Sequence, residues 1–184
     1  GTRMRPLTRY LNKGMIPVAG RPILEHIIRK LKAQGFDDFL VAVTLFPDQL
    51  KNYFGDGQRW GVSIEYVERP EPSQTAGEVA AMADRLVDQK HFVVHYGDVI
   101  SNLDTAAMVR QHIERGATAT LGLVEGVRFH GGVAEVDDTD MVTDFSEKPK
   151  TPFATHAAIN VFSSIVLDYC EAGRDFGQDV IPEM

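Results

Sequence analysis

Basic and glycine residues near the start of the chain form a segment suited to a polyphosphate. Residues 1–22 have the sequence GTRMRPLTRYLNKGMIPVAGRP, whose apolar positions follow neither a helical nor a strand period. Arginine presents a planar fork of donors, lysine presents a point charge, and glycine lets backbone N–H groups come close to an anion. The residue types predict either a polyphosphate-binding loop or an ordinary basic surface loop.

A carboxylate directly follows an apolar stretch in the middle of the chain. Residues 92–96 predict a strand, and Gly97 and Asp98 come next. In α/β sheets a ligand lies outside the carboxyl ends of the strands. A carboxylate oxygen there suits Mg²⁺, which takes one or two protein carboxylates and completes its coordination with phosphate and water. An isolated Gly-Asp pair, by contrast, favours a simple turn.

Two further segments have both a chemical and a structural interpretation. Residues 73–77 open a predicted helix, where free backbone N–H groups can meet a base edge or a phosphate. The structural alternative is that Thr75 caps the helix and Glu78 completes a capping box. Glu147 and Lys148, followed by a proline, would by themselves be a solvated charged turn.

The elements that must position these residues follow from apolar periodicity. Helices are predicted over residues 22–34, 47–54, 76–87 and 104–116, the last capped by Asp104, and strands over 39–43, 62–67, 92–96 and 117–124. This alternation predicts βαβ units in a single α/β domain with a mostly parallel sheet. Short strands over 132–136, 141–145 and 157–162, without helices between them, predict a small antiparallel extension.

Composition limits the class of protein. The 184 residues, 43% hydrophobic, suffice for one well-buried core. A net charge of −7 argues against binding to duplex nucleic acid, which needs a surplus of cations on one face. The single cysteine, Cys170, forms neither an intrachain disulfide nor a cysteine zinc site. No apolar run is long enough to span a membrane and no export signal is visible, so a cytoplasmic location is expected.

Other common sites are not indicated. The chain has no P-loop, nucleophile elbow or dinucleotide-binding glycine fingerprint. Most of its histidines show no metal-ligand spacing and are predicted to be structural; these are His26, His91, His95, His112 and His130.

Four motifs, in order along nearly the whole chain, resemble those of the nucleoside-diphosphate-sugar pyrophosphorylases, also called sugar-1-phosphate nucleotidyltransferases. They are GTRMRPLT with Lys13 and MIPVAGRP, QTAG at 74–77, FVVHYGDV at 92–99, and EKP at 147–149 with HAAINVF at 156–162. The resemblance implies a Rossmann-like, three-layer nucleotidyltransferase domain over residues 1–184. It also implies a strand ahead of Gly1, between the strands at Leu40 and Phe92, and a second metal ligand beyond Met184.

The resemblance also implies residue roles. Arg3, Lys13 and Asp98 become the catalytic residues, with Arg3 and Lys13 on the triphosphate and Asp98 holding Mg²⁺. The remaining assignments fall into two groups: nucleotide binding by Gly1, Thr2, Arg3, Glu68, Gln74, Thr75 and Gly77, and sugar-phosphate binding by Gly132, Glu147, Lys148 and His156.

The implied reaction joins a hexose 1-phosphate to a nucleoside triphosphate, giving a nucleotide sugar and pyrophosphate. Among the branches of the family, the first motif favours mannose-1-phosphate guanylyltransferases, with glucose-1-phosphate thymidylyltransferases as the alternative. Base, sugar and oligomeric state, including a homo-oligomer, stay open.

A non-catalytic, regulatory nucleotidyltransferase-like domain is the further alternative, because four positions depart from the family pattern. Asn12 and Gly14 flank Lys13 where the family usually has Pro-Lys-Pro or Pro-Lys-Glu. Gln74 replaces the first glycine of Gly-Thr-Ala-Gly, and His156 replaces a sugar-contacting Asn in Asn-Ala-Gly-Ile-Tyr-Val-Phe.

Overall fold

A computed structural model describes residues 6–184, so Gly1, Thr2 and Arg3 lie outside the described residues. The helices are α1 Ile23–Ala33, α2 Pro47–Phe54, α3 Gln74–Ala80, α4 Ala83–Leu86, α5 Thr105–Glu114 and α6 Ile181–Glu183. The strands are β1 Pro17–Val18, β2 Arg21–Pro22, β3 Asp38–Val43, β4 Ser63–Glu68, β5 His91–His95, β6 Ala119–Val124, β7 Gly132–Val136, β8 Val142–Glu147 and β9 Thr155–Ser163. Short 3₁₀ turns cover Leu7–Arg9, Lys13–Met15, Gln58–Trp60 and Ser164–Tyr169, and a π-helical turn covers Phe176–Val180.

The helices and strands mix as predicted, but the prediction of a mostly parallel sheet is wrong for the described residues. Within residues 6–184 the strands form four small sheets, and only the β3–β4 pair is parallel. The others are the antiparallel pairs β1–β2 and β7–β8 and the three-stranded sheet β5–β9–β6.

The correction comes from β9, which was predicted to belong to the antiparallel extension. Instead it lies between β5 and β6 and pairs antiparallel with both. Its side chains explain this position, since Ile159, Val161 and Phe162 are all fully buried. Ile159 and Val161 pack with Met108 of α5, whereas Phe162 packs with Phe176, and such burial of both faces is typical of a strand inside a sheet.

The helix predictions hold in part. The apolar stripe of α1 is buried as predicted, at Ile23, Ile27, Ile28 and Leu31. Asp104 caps α5, since its carboxylate accepts from the N–H of Ala107 at 2.8 Å. The single helix predicted over 76–87 is instead two, because the chain leaves helical geometry between α3 and α4. Val87, the last residue of the predicted helix, is exposed.

Two apolar clusters hold the elements that carry the predicted site. Val43 of β3 packs with Leu50 and Phe54 of α2 and with Ile64 of β4. The second cluster joins the start of α3 to β9 and to the 176–180 turn, and in it the rings of Phe162 and Phe176 stack at 4.8 Å. Burial of these groups supplies the main stabilisation of the domain. None of the helices within residues 6–184 is long and apolar enough to cross a membrane.

Candidate functional site at the end of β5

An ion pair joins two of the three predicted catalytic residues. Lys13 begins the 3₁₀ turn Lys13–Met15, and Asp98 follows the end of β5. The Lys13 Nζ contacts Asp98 Oδ2, and both side chains are partly open to solvent, 37% and 27% exposed. An ammonium and a carboxylate that are partly open to solvent can both bind a phosphate. The ammonium binds it directly, and the carboxylate binds it through a metal cation.

The turn that carries Lys13 is capped by Asn12, one of the residues that depart from the family pattern. Asn12 is its N-cap, and its Oδ1 accepts from the N–H of Gly14 at 2.9 Å. Gly14 is buried, and a Cβ added to it would lie 3.3 Å from the Cβ of Leu24 on α1. The Asn12-Lys13-Gly14 sequence therefore forms a locally ordered turn against α1.

The start of α3 is closed by another part of the chain. The N–H groups of Ala76 and Gly77 both donate to the carbonyl of Arg174, at 3.0 and 3.2 Å. The prediction that these groups stay free for a ligand is therefore wrong. The alternative prediction, that Thr75 caps the helix, is also wrong, because the N-cap is Ser73. The N–H of Ser73 donates to Glu78 Oε1 at 2.9 Å.

Thr75 connects α3 to a carboxylate that the sequence did not suggest. Its hydroxyl donates to Asp175 Oδ2 at 2.8 Å and accepts from the N–H of Phe176, also at 2.8 Å. Burial alone would raise the pKa of Asp175, but the hydrogen bonds from Thr75 and from the N–H groups of Gln178 and Gly177 outweigh it and lower the pKa. Asp175 is therefore held as a carboxylate.

Glycine positions in the QTAG motif have structural explanations. A Cβ on Gly77 would lie 2.5 Å from Ser73 Oγ and 3.0 Å from the N–H nitrogen of Gly173, so only glycine fits. Gln74, which replaces the family glycine, has a φ of 56°. Ala158, which stands at the family glycine in the last motif, has a φ of 58°. Both family glycines thus correspond to left-handed backbone positions in this chain.

Tyr96, directly after β5, is in ring contact with His156 of β9. The ring of His156 meets the ring of Tyr96 edge-on at 6.2 Å, and its Nε2 bonds to Asn160 Oδ1 at 2.7 Å. Burial raises the pKa of Tyr96, helped by the charges of Asp175 and Asp98 and opposed by a hydrogen bond with Thr75. Tyr96 therefore lies close to His156, Thr75 and Asp98.

Tyr96, Asn160 and Asp175 were not among the predicted site residues. Tyr96 and Asn160 lie inside two of the motifs, close in sequence to Asp98 and His156, so the motifs could have indicated them as site residues. Asp175 has no such signal, because its contact with Thr75 spans 100 positions of the chain.

The other predicted residues lie apart from the Lys13–Asp98 pair. Glu68, at the end of β4, is half-exposed and pairs with Lys51 of α2. Gly132 and Glu147 are register partners in the β7–β8 hairpin, where Glu147 Oε1 lies 3.8 Å from the Nζ of exposed Lys148. Within residues 6–184, no hydrogen bond or ion pair joins Glu68, Glu147 or Lys148 to the pair.

A groove extends from Asp98 towards β9. It has a volume of about 490 Å³ and is lined by Val99, Ile100, Ser101, Asn102, Val124 and Ala157. Val99 directly follows Asp98 in the sequence, and Ala157 directly follows His156. Its size lies in the range of small-molecule sites.

The donor set at Asp98 fits a cation that is bound mainly by its substrate. In the described part of the chain, no group of three or more His, Cys, Asp or Glu residues could hold a metal ion. Asp98 offers a partly exposed carboxylate whose charge is already balanced by the ammonium of Lys13. Mg²⁺ needs only one or two protein carboxylates when phosphates and water complete its octahedral shell.

The chain is similar to known nucleotidyltransferases in sequence. A family model described as nucleotidyl transferase matches residues 1–184. A UTP–glucose-1-phosphate uridylyltransferase of Synechocystis sp. is 32% identical over 100% of this chain and 52% of its own length. A mannose-1-phosphate guanylyltransferase of Mycobacterium tuberculosis is 34% identical, also over 100% of this chain and 52% of its own length. The chain thus spans about half the length of these curated relatives.

Solved structures resemble it as well. HddC from Yersinia pseudotuberculosis aligns over 95% of this chain and 77% of its own, with a TM-score of 0.75 and 18% identity, which shows a shared fold. A putative glucose-1-phosphate thymidylyltransferase from Bacillus anthracis aligns over 91% of this chain and 69% of its own, with a TM-score of 0.70 and 26% identity.

Proposed function

The chain belongs to the nucleotidyl transferase family, and we propose that it joins a hexose 1-phosphate to a nucleoside triphosphate, forming a nucleotide sugar and pyrophosphate. The contact between Lys13 and Asp98 carries this proposal. It places a cation from the first motif against a carboxylate from the third, at the end of a strand and beside a groove. An ordinary surface loop and an ordinary turn would have no reason to meet there.

The chemistry asks for positioning and charge neutralisation. A phosphate oxygen of the sugar 1-phosphate attacks the α-phosphorus in line, a new P–O bond forms, and the bond to the β-phosphate oxygen breaks to release pyrophosphate. The protein contributes by aligning the two anions and by stabilising the charge that develops on the phosphate oxygens. In this proposal Lys13, and Arg3 outside the described residues, bind the triphosphate.

Asp98 is the residue that would hold Mg²⁺, as its donor type and partial exposure allow. A bound Mg²⁺ neutralises phosphate charge. Since Lys13 already contacts the same carboxylate, ligand binding would require Lys13 to exchange Asp98 for a phosphate oxygen. The carboxylate thus keeps the ammonium directed at the position where the phosphates arrive.

The two ends of the substrates go to different parts of the domain. The nucleobase is proposed to lie by the start of α3, near Gln74, Thr75 and Gly77, with Glu68 of β4 as a polar group that reads its edge. The sugar phosphate is proposed to lie between the groove after Asp98 and the hairpin residues Gly132, Glu147 and Lys148, with His156 on the side of β9.

Mannose 1-phosphate with GTP is the proposed substrate pair, supported by the first motif and by the guanylyltransferase among the relatives. Glucose 1-phosphate with TTP is the alternative. The uridylyltransferase among the relatives adds glucose 1-phosphate with UTP. Pyrophosphate release from four nucleoside triphosphates against several hexose 1-phosphates, with Mg²⁺, decides among these. Pyrophosphate release should be fastest with GTP and mannose 1-phosphate.

The same assay tests the non-catalytic alternative, which the departures at Asn12, Gly14, Gln74 and His156 support. A folded full-length protein that released no pyrophosphate with any pair would overturn the catalytic proposal. The retained Lys13, Asp98, Glu147 and Lys148, and the ordered turn around Lys13, support catalysis.

A further inference from the structure

We propose that Gln49, on α2, is a positioning residue that fixes the turn carrying Lys13. Its effect on turnover rests on the proposed function, whereas its effect on the turn does not. Gln49 belongs to none of the four motifs, and it reaches the turn from another element of the fold.

Both ends of the Gln49 amide hold the backbone just before Lys13. Its Oε1 accepts from the N–H of Asn12 at 2.7 Å, and its Nε2 donates to the carbonyl of Tyr10 at 2.8 Å. One side chain therefore binds two backbone groups two residues apart. This doubly bonded arrangement fixes both the position and the orientation of the segment, as a single hydrogen bond would not.

Asn12 adds a third and a fourth bond to the same clamp. Its Nδ2 donates to the carbonyl of Leu45, just before α2, at 2.6 Å, while its Oδ1 accepts from the N–H of Gly14 at 2.9 Å. Residues 10–14 are thus tied to α2 and the residues before it at three points, and Asn12 also closes the turn on the far side of Lys13. Lys13 is bracketed between these bonds.

The helix that provides the clamp is itself well anchored. Leu50 and Phe54 of α2 are each 2% exposed and lie in the cluster with β3 and β4. Pro47 occupies its first turn, where a fixed φ favours the helix. Gln49 therefore links a packed helix to the backbone that precedes Lys13.

The clamp explains how the chain manages without a proline before Lys13. The φ of Asn12 is −59°, close to the value of about −65° that a proline ring imposes. The hydrogen bonds of Asn12 and Gln49 hold by side-chain contacts the backbone shape that a proline at this position would hold covalently. Asn12→Pro should therefore restore part of the backbone restraint that is lost when Gln49 is removed.

The test compares Gln49→Ala with Asn52→Ala. Asn52 is an exposed residue of the same helix whose side chain has no hydrogen bond within residues 6–184, and both variants place alanine, the most favourable helix residue, in α2. Hydrogen exchange of the amides of Asn12 and Gly14 should accelerate by about tenfold or more in Gln49→Ala and stay unchanged in Asn52→Ala, because only the first change releases the turn.

Kinetics provide the second readout, on the substrate pair with the highest wild-type turnover. Gln49→Ala should lower kcat/KM for the nucleoside triphosphate by about tenfold and leave the KM for sugar 1-phosphate within about twofold, because only the triphosphate meets Lys13. The double variant Asn12→Pro with Gln49→Ala should recover only part of this loss, since the ring restores the φ of residue 12 but removes both side-chain bonds of Asn12.

The outcomes separate this proposal from the proposed function. Unchanged amide exchange in Gln49→Ala would overturn the clamp, whatever the activity. Altered exchange with unaltered triphosphate kinetics would overturn the role of the clamp in positioning Lys13. A wild type without turnover would overturn the proposed function, and amide exchange would then still decide whether Gln49 fixes the turn.

Discussion

Lys13 and Asp98 form a contact that stability alone does not explain. An ion pair open to solvent contributes about 0–1 kcal/mol, because water screens the charges and two side chains lose freedom. Both side chains here are more than a quarter exposed, yet two separate parts of the chain converge to make the contact. A placement that gains little stability is better explained by what the two groups can bind together, which is a phosphate and its cation.

Asp98→Asn is expected to cut turnover by at least ~10²-fold, the scale on which loss of one main electrostatic stabiliser acts. The fold should survive, because the pair is partly exposed and contributes at most about 1 kcal/mol. Pyrophosphate release and thermal unfolding measure the two effects. Asp88→Asn, at an exposed residue, is the matched control and should alter neither. Near wild-type turnover of Asp98→Asn at limiting Mg²⁺ would mean that the residue only forms a turn.

Gln74 gives a prediction about strain at a motif position. Its φ of 56° costs a side-chain-bearing residue about 1–2 kcal/mol. Gln74→Gly removes this penalty but adds backbone entropy to the unfolded chain, so the free energy of unfolding should rise by about 0.5–1 kcal/mol. Gln111→Gly, at an exposed position in α5, should lower it by about 1 kcal/mol.

Chemical denaturation measures both glycine variants. If Gln74→Gly destabilised the protein as much as Gln111→Gly does, the left-handed backbone at residue 74 would not be strained. The side chain of Gln74 would then contribute contacts that outweigh its backbone cost.

At the scale of elements, local periodicity predicted the existence of most helices and strands but not how the strands pair. The parallel β3–β4 pair follows from the helix α2 between them, since a crossover helix joins parallel strands. The position of β9 does not follow from neighbouring residues. It lies between β5 and β6 although it comes from a later part of the chain. Its buried residues Ile159, Val161 and Phe162 indicate an apolar strand, but they do not indicate which strands it pairs with.

A buried histidine pair couples α5 to the three-stranded sheet and predicts a pH dependence of stability. His112 is fully buried, and its ring nitrogens contact Thr120 Oγ1 at 2.9 Å and His91 Nδ1 at 3.2 Å. Burial lowers the pKa of His112, and a charge on His91 lowers it further. When the pKa is lower in the folded protein, the unfolded chain binds more protons as pH falls, so stability is full above about pH 6.5 and declines below it.

His112→Gln should therefore weaken the fall in the free energy of unfolding between about pH 8 and pH 5.5. Part of the fall should remain, because burial also lowers the pKa of His95. His130→Gln, at an exposed histidine, is the control and should leave the slope unchanged. Denaturation at several pH values measures the slopes, and equal slopes in His112→Gln and wild type would show that His112 does not govern this dependence.

At the scale of the molecule, the motifs assigned Lys13 and Asp98 to one predicted site, and the structure shows that their side chains are in contact. Motif order could not predict Asp175 or Gln49. Each reaches the site through a side chain bound to a distant segment, Asp175 to Thr75 and Gln49 to Asn12. Such contacts depend on how elements pack, and a local pattern carries no record of them.

Lys13 and Lys148 lie on different elements, which leads to a prediction about the two substrates. Lys13 lies with Asp98 at the end of β5, whereas Lys148 lies on the hairpin beside Glu147, and both lysines are accessible to an anion. If each cation binds a different phosphate, Lys13→Ala should mainly raise the KM for the nucleoside triphosphate and Lys148→Ala mainly the KM for the sugar 1-phosphate. Each shift should be about tenfold or more, as for loss of a charge-assisted hydrogen bond.

Initial rates with one substrate varied and the other saturating measure these shifts, and Lys150→Ala, next to the hairpin motif, is the control for loss of charge alone. Arg3→Ala should behave as Lys13→Ala does, since both are assigned to the triphosphate. Both lysine variants could instead shift the same constant for the same substrate. Lys13 and Lys148 would then bind the same phosphate, and the assignment of a separate site to each substrate would be wrong.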